Sequence, residues 1–289
     1  MDTDLNGTDS YQFLIDAGLV KHLPVPTFQE FERLIQLLMP NVKPETDIVF
    51  LDTISQLAHA TRGDAKFGTD TTLDVWDKKD LFLSGDKNYL TVYEMAGQMI
   101  LRRLRNLRAT GVRVIVSAHE ADQVDLAIKK RAPDMNKALY GSFKSITSDM
   151  FRMWLLPQNV LGPDGQTVKY QAGTRLVTMK PSPEAAAKIH VDPFAADQVP
   201  ATVAIENTFV PVLPKVYSYL WKLPSFLAIY GEPGVGKTTA GVSEAFEVFL
   251  KEWYPDKYAQ ARMYYNQEQR QTHQIATASN VQLNTAVNG

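Results

Sequence analysis

The sequence predicts an α/β fold built on a mainly parallel sheet, and three observations carry that prediction. The apolar runs at 47–52, 112–118 and 225–230 do not alternate with polar residues, as expected of strands buried on both faces. Segments with helical spacing of apolar residues stand between them, so strands and helices alternate along the chain. Finally, a glycine-rich turn at 231–239 separates one such strand from one such helix and matches G-x-x-x-x-G-K-[ST].

Taken in order, residues 1–10 are polar and read as loose, and 11–20 is short and ambiguous. Residues 27–39 carry Phe28, Phe31, Leu34, Ile35, Leu38 and Met39 at helical spacing, with Thr27 and Glu30 placed as a capping box. A break at 40–45 leads into the strand 47–52. Residues 61–90, rich in Gly, Asp, Lys and Thr, read as a long, mobile loop of the kind that is usually functional or disordered. Residues 91–109 form a helix with Val92, Ala96, Met99, Leu104 and Leu107 along one side, ended by Gly111. After the strand 112–118, residues 120–142 read as a polar, basic loop and 143–149 as a short helix. Residues 151–156 and 167–171 read as hairpin strands around the Asp164-Gly165 turn. A further strand covers 174–179, whereas 184–215 is Pro- and Ala-rich and unassigned. Beyond the glycine-rich turn, 240–251 is a helix, 261–266 a strand and 271–289 a frayed polar tail.

Composition bounds the function. The chain has 289 residues, 45% hydrophobic and 21% charged, enough for an ordinary core. It has no cysteine, which excludes disulfides and thiolate metal sites. The net charge of −2 does not by itself point to a polyanion. The acidic N-terminal stretch lacks the features of a signal peptide, and no apolar run approaches the roughly 18 residues of a membrane helix. A cytoplasmic protein with no membrane partner is expected.

The turn carries the most specific chemistry. In Gly231-Glu232-Pro233-Gly234-Val235-Gly236-Lys237-Thr238-Thr239 the glycines allow consecutive backbone N–H groups to converge on phosphates, and the next helix adds the positive end of its dipole. Lys237 supplies a point charge to the phosphates, and the Thr238 hydroxyl is the expected Mg²⁺ ligand. ATP and Mg²⁺ are therefore the expected cofactors. Such a site also needs a carboxylate at the end of a buried strand, and Asp52 fits, closing the run 47–52 ahead of Thr-Ile-Ser. The strands ending at Tyr230 and Asp52 are expected to be neighbours. His119 and Glu120 close the strand 112–118, His119 as a candidate γ-phosphate sensor and Glu120 as a candidate base.

Together, 230–239, 47–55, 114–120 and 175–188 resemble the RecA-like P-loop ATPases, specifically small phage-type nucleotide-binding proteins related to single-strand annealing and recombination. The resemblance implies a RecA-like core with a β-hairpin region late in the domain. It places a base at the end of the strand after the loop's helix, where Glu268 stands. Walker B here precedes Walker A by about 180 residues, and joining the chain's ends restores the family order. The expectation is one circularly permuted domain over 1–289, with a Walker B half at 1–183, a connecting segment at 184–215 and a Walker A half at 216–289. Permutation is physically accessible because domain termini often lie close together.

Eleven Lys and Arg fall between Arg102 and Arg152, opposed by Glu120, Asp122, Asp125, Asp134 and Asp149. The resemblance puts a DNA-contacting loop at 121–142, making Lys129, Lys130 and Arg131 candidate phosphate contacts and Tyr140 or Phe143 candidate stacking residues for single-stranded DNA. It also implies a homo-oligomeric ring or filament, with Lys180, Arg175 and Lys188 as candidate fingers reaching a neighbour's nucleotide. The leading expectation is an ATPase coupled to single-stranded DNA in phage-type recombination or annealing. A hexameric helicase or packaging motor, and an ATP-binding assembly module with negligible turnover, stay open beside it.

Overall fold

The computed structural model describes residues 1–3, 11–16, 18–44, 47–58, 88–125, 128–135, 137–191, 196–205 and 225–245. The strand expected at 261–266, the polar tail at 271–289, most of the loop at 61–90 and part of the connecting segment lie outside the described residues.

The apolar runs at 47–52, 112–118 and 225–230 form strands as predicted, and further strands stand beside them. The strands are β1 (Ile48–Leu51), β2 (Arg113–Asp125), β3 (Ile128–Pro133), β4 (Asp149–Leu155), β5 (Val160–Leu161), β6 (Val168–Tyr170), β7 (Arg175–Thr178), β8 (Thr202–Ile205) and β9 (Phe226–Gly231). The helices are α1 (Gln12–Asp16), α2 (Phe28–Leu38), α3 (Asn88–Ala109), α4 (Lys137–Ile146) and α5 (Lys237–Ala245). One sheet runs β1-β2-β9-β4-β7-β8, and off this path β3 pairs with β2. Its centre, β1-β2-β9-β4, is parallel, and the β7 and β8 pairings are antiparallel. The protein is therefore α/β with a mixed sheet.

Side-chain alternation in the central strands builds two cores. On one face Val114, Val116, Phe226, Ala228 and Tyr230 pack with α2, α3 and α4 through Phe31, Leu104 and Phe143. On the other, Ile115, Leu227, Ile229 and Phe151 pack against Val235 and Ala240 at the start of α5. No described helix is long and apolar enough to cross a membrane.

Several expectations are corrected. β1 and β9 are not neighbours, because β2 lies between them. Residues 1–3 are not loose. Thr3 N–H donates to Asp52 O (2.6 Å), Asp52 N–H to Met1 O (2.9 Å), Asp2 N–H to Leu23 O (2.9 Å) and Val25 N–H to Asp2 O (2.8 Å), so this tripeptide lies between β1 and 23–25. The basic segment 121–142 is not a loop but the β2–β3 hairpin followed by α4, held by cross-strand pairs from Glu120–Pro133 to Asp125–Ile128. Likewise 151–156 does not pair with 167–171. The small hairpin is β5 with β6, and β4 instead joins β9 and β7. At α2, Glu30 N–H donates to Thr27 Oγ1 (3.1 Å) as expected of a cap, but the Glu30 side chain pairs with Arg33.

Candidate nucleotide site

The four parallel strands end on one side of the sheet, where ligands of open α/β sheets bind. There β9 leads into 231–236, which curls into the first turn of α5. Gly234 (φ 78°) and Gly236 (φ 88°) hold a backbone conformation that favours glycine. Gly231 answers a different demand: a Cβ there would lie 2.1 Å from Met153 O on the adjoining strand. Glu232, Pro233 and Gly234 are exposed, whereas Val235 is buried.

Lys237 is only 6% exposed, and its Nζ donates to Glu232 O at 2.8 Å, closing the loop on itself. One residue on, Thr238 Oγ1 donates to Asp52 Oδ2 at 2.5 Å, a contact between residues 186 positions apart. The other Asp52 oxygen accepts from Ser117 Oγ. Burial holds the Asp52 carboxyl above its ordinary pKa, against the lowering effect of the Ser117 and Thr238 bonds and the Lys237 charge, and nearby Asp2 pushes it further up. The peptide bond from Asp52 to Thr53 is cis. Asp2 is itself buried and pairs with His22 Nε2 at 3.1 Å.

These residues fit a magnesium nucleotide. The glycines leave a bare backbone cradle, Lys237 provides the cation, and Asp52 and Thr238 present two hard oxygens side by side, as suits an ion that keeps several waters.

The remaining site residues fall into distinct groups. His119 pairs with Gly231 in register, and its N–H donates to Ser55 Oγ at 3.0 Å. Both Glu120 carboxylate oxygens accept from Arg152 (2.6 and 2.9 Å), and Arg131 lies 3.6 Å away; the Glu120 side chain is wholly buried. Arg131 also pairs with Asp122 at 3.2 Å, so it is tied into its hairpin, while Lys129 is exposed and Lys130 half-buried. Phe143 cannot stack on a base, being fully buried and edge-on to Phe226 at 6.0 Å. Tyr140 is half-buried against the core. Of the three finger candidates, Arg175 Nε donates to Val235 O of its own loop (3.2 Å), Lys180 Nζ to Ala196 O (2.9 Å) and Lys188 Nζ to Thr147 O (2.5 Å). Glu268 lies outside the described residues.

Sequence reasoning passed over Ser117, Ser55, Arg152 and Tyr230. Ser117 did leave a signal, as a polar residue inside an apolar strand. Tyr230 is fully buried, and its hydroxyl donates to Arg131 O (3.0 Å) and Ala186 O, fastening the hairpin and the 184–188 run to the strand that leads into the loop. Nothing in the sequence marks that role. The chain matches no protein-family model, no curated protein and no solved structure.

Proposed function

We propose that this chain is a Mg²⁺-dependent ATPase with a RecA-like core in circularly permuted order, coupling its nucleotide to single-stranded DNA. The observation that carries the reading is the Thr238–Asp52 contact, which joins the two halves of a phosphate and cation site from opposite ends of the sequence. The 231–236 amides would bind the β- and γ-phosphates, Lys237 would exchange Glu232 O for phosphate oxygen, and Thr238 with Asp52 would hold the cation. When bound, Mg²⁺ would supply neutralisation of the charge on the β- and γ-phosphate oxygens as water attacks the γ-phosphorus and the diphosphate leaves. The permuted order is supported by β9, the last described strand in sequence, lying between β2 and β4 near the sheet's centre. The coupling is supported by β2, which carries Ser117 and His119 beside the site and then runs on into the hairpin that presents Lys129.

A nucleotide-dependent assembly module with negligible turnover is the second reading, favoured by one observation. Glu120, whose oxygens are taken by Arg152, is poorly disposed to accept a proton from water. ATP turnover measured with and without single-stranded DNA separates the two. Turnover that is stimulated by DNA and abolished by Lys237→Ala and Asp52→Asn supports the ATPase. Mg²⁺-dependent binding without turnover supports the module. Wild-type protein that binds no nucleotide refutes both.

A further inference from the structure

Because β2 stands between β1 and β9, Asp52 reaches the loop only across an intervening strand, and the residue it crosses is Ser117. One step past the Leu51–Val116 pair, Asp52 comes level with Ser117, which is itself paired with Ile229 of β9. Val114, Val116 and Ala118 belong to the core under α3, and Ile115 to the core under α5, so alternation turns Ser117 toward α5 and the loop. It is fully buried, its Oγ donates to Asp52 Oδ1, and Thr238 donates to Oδ2. With each oxygen held by a different donor, the plane of the carboxylate is fixed. A branched apolar side chain at this position, like that of Ile115, would fill the path and supply no donor.

We propose that Ser117 is a positioning residue that aims the Asp52 carboxylate across β2, so that Oδ2 and Thr238 hold the nucleotide's divalent cation. The inference rests on the nucleotide reading above. Its effect belongs to the cation and not to the nucleotide alone, because Lys237 and the 231–236 amides do not depend on Ser117. Partners that orient a metal ligand typically change metal affinity by about 10–100-fold when removed.

The test measures the half-saturating Mg²⁺ concentration for ATP binding, with ATP binding in EDTA as the second readout. Ser117→Ala and Ser117→Val should raise half-saturating Mg²⁺ about tenfold or more. Ser117→Thr, which has the shape of valine but keeps the hydroxyl, should stay near wild type, and binding in EDTA should be alike in all four proteins. Wild-type Mg²⁺ dependence in the alanine variant overturns the proposal, as does an equal shift for threonine and valine, which would trace the effect to size. If the alanine and valine variants do not fold, Ser117→Cys, a weaker donor of similar size, must show an intermediate shift, and wild-type behaviour there overturns the proposal. Failure of the nucleotide reading looks different, since the unsubstituted protein would then show no Mg²⁺-dependent ATP binding.

Discussion

Replacing Glu120 by glutamine distinguishes a residue that holds the site together from one that takes part in the reaction. The Glu120 side chain has no exposure and accepts 2.6 and 2.9 Å bonds from Arg152, whose own side chain is 15% exposed. Removing the negative charge leaves a guanidinium largely out of water with one neutral acceptor. Breaking a buried pair by removing one partner costs about 3–5 kcal/mol. We take about 3 kcal/mol, because glutamine keeps an acceptor oxygen and Arg131 remains half-exposed. For a protein of this size that corresponds to a fall in Tm of about 5 °C. Urea and thermal denaturation of Glu120→Gln, Arg152→Met and the double variant supply the assay. The double variant should lose less than the sum of the single losses, because the second substitution removes the charge stranded by the first. ATP turnover per folded molecule is read alongside. A Glu120→Gln protein that melts within about 1 °C of wild type while turnover collapses refutes the argument and makes Glu120 a base.

Other outcomes follow from the same geometry. Gly231→Ala should cost about 3 kcal/mol, because its Cβ meets the Met153 carbonyl, which is backbone. Gly241→Ala, whose Cβ meets the half-buried Phe50 ring at 2.7 Å, should cost about 1 kcal/mol, and urea midpoints in the reverse order would contradict this. Burial raises the Asp149 carboxyl above its ordinary 3.8, partly offset by the bond from His190 N–H and the charges of His190 and Lys188. A carboxyl raised in the folded state contributes its full stability below the unfolded value and loses it as pH rises through the folded pKa. Wild type should therefore lose ground to Asp149→Asn in urea midpoints as pH rises above about 4, and the opposite slope would contradict the assignment. Reversing the charge at Lys129 and Lys130 should weaken single-stranded DNA binding and flatten its salt dependence by about one unit of slope per lost phosphate contact, whereas an unchanged slope would remove the hairpin from the interface.

The parts of the fold legible in sequence were those with a local cause. The strands at β1, β2 and β9 follow from unbroken apolar runs, α2 from its spacing and Thr27, and the loop from glycines at positions that need positive φ. The pairing of Asp52 with Thr238 was legible as chemistry, since a phosphate loop calls for a carboxylate, although its route across β2 was not. What stayed hidden depends on long-range geometry. Lys129 to Arg131 read as part of a polar, basic loop because no apolar alternation marks them, and only the register with Glu120 to Asp125 makes them a strand. Asp2 carries no signal, because its burial comes from β1 and from residues 23–25 on either side of it. The finger candidates illustrate the same limit: a lysine such as Lys188 looks like a free charge until the helix end it bonds is known.

The place of β9 in the sheet has a consequence for how the chain is made. β2 and β4 present their inner edges to each other across a gap that only β9 fills, and β9 is the last of the described strands to be synthesised. About 70 residues separate the end of β4 from the start of β9. At roughly 5–20 residues per second, two apolar strand edges stand unpaired for about 4–14 s on every ribosome. Unpaired edges of that kind invite pairing with other chains. Slowing elongation between 156 and 225 should lower the soluble yield of this protein, and speeding it should raise that yield, without any change in the native structure.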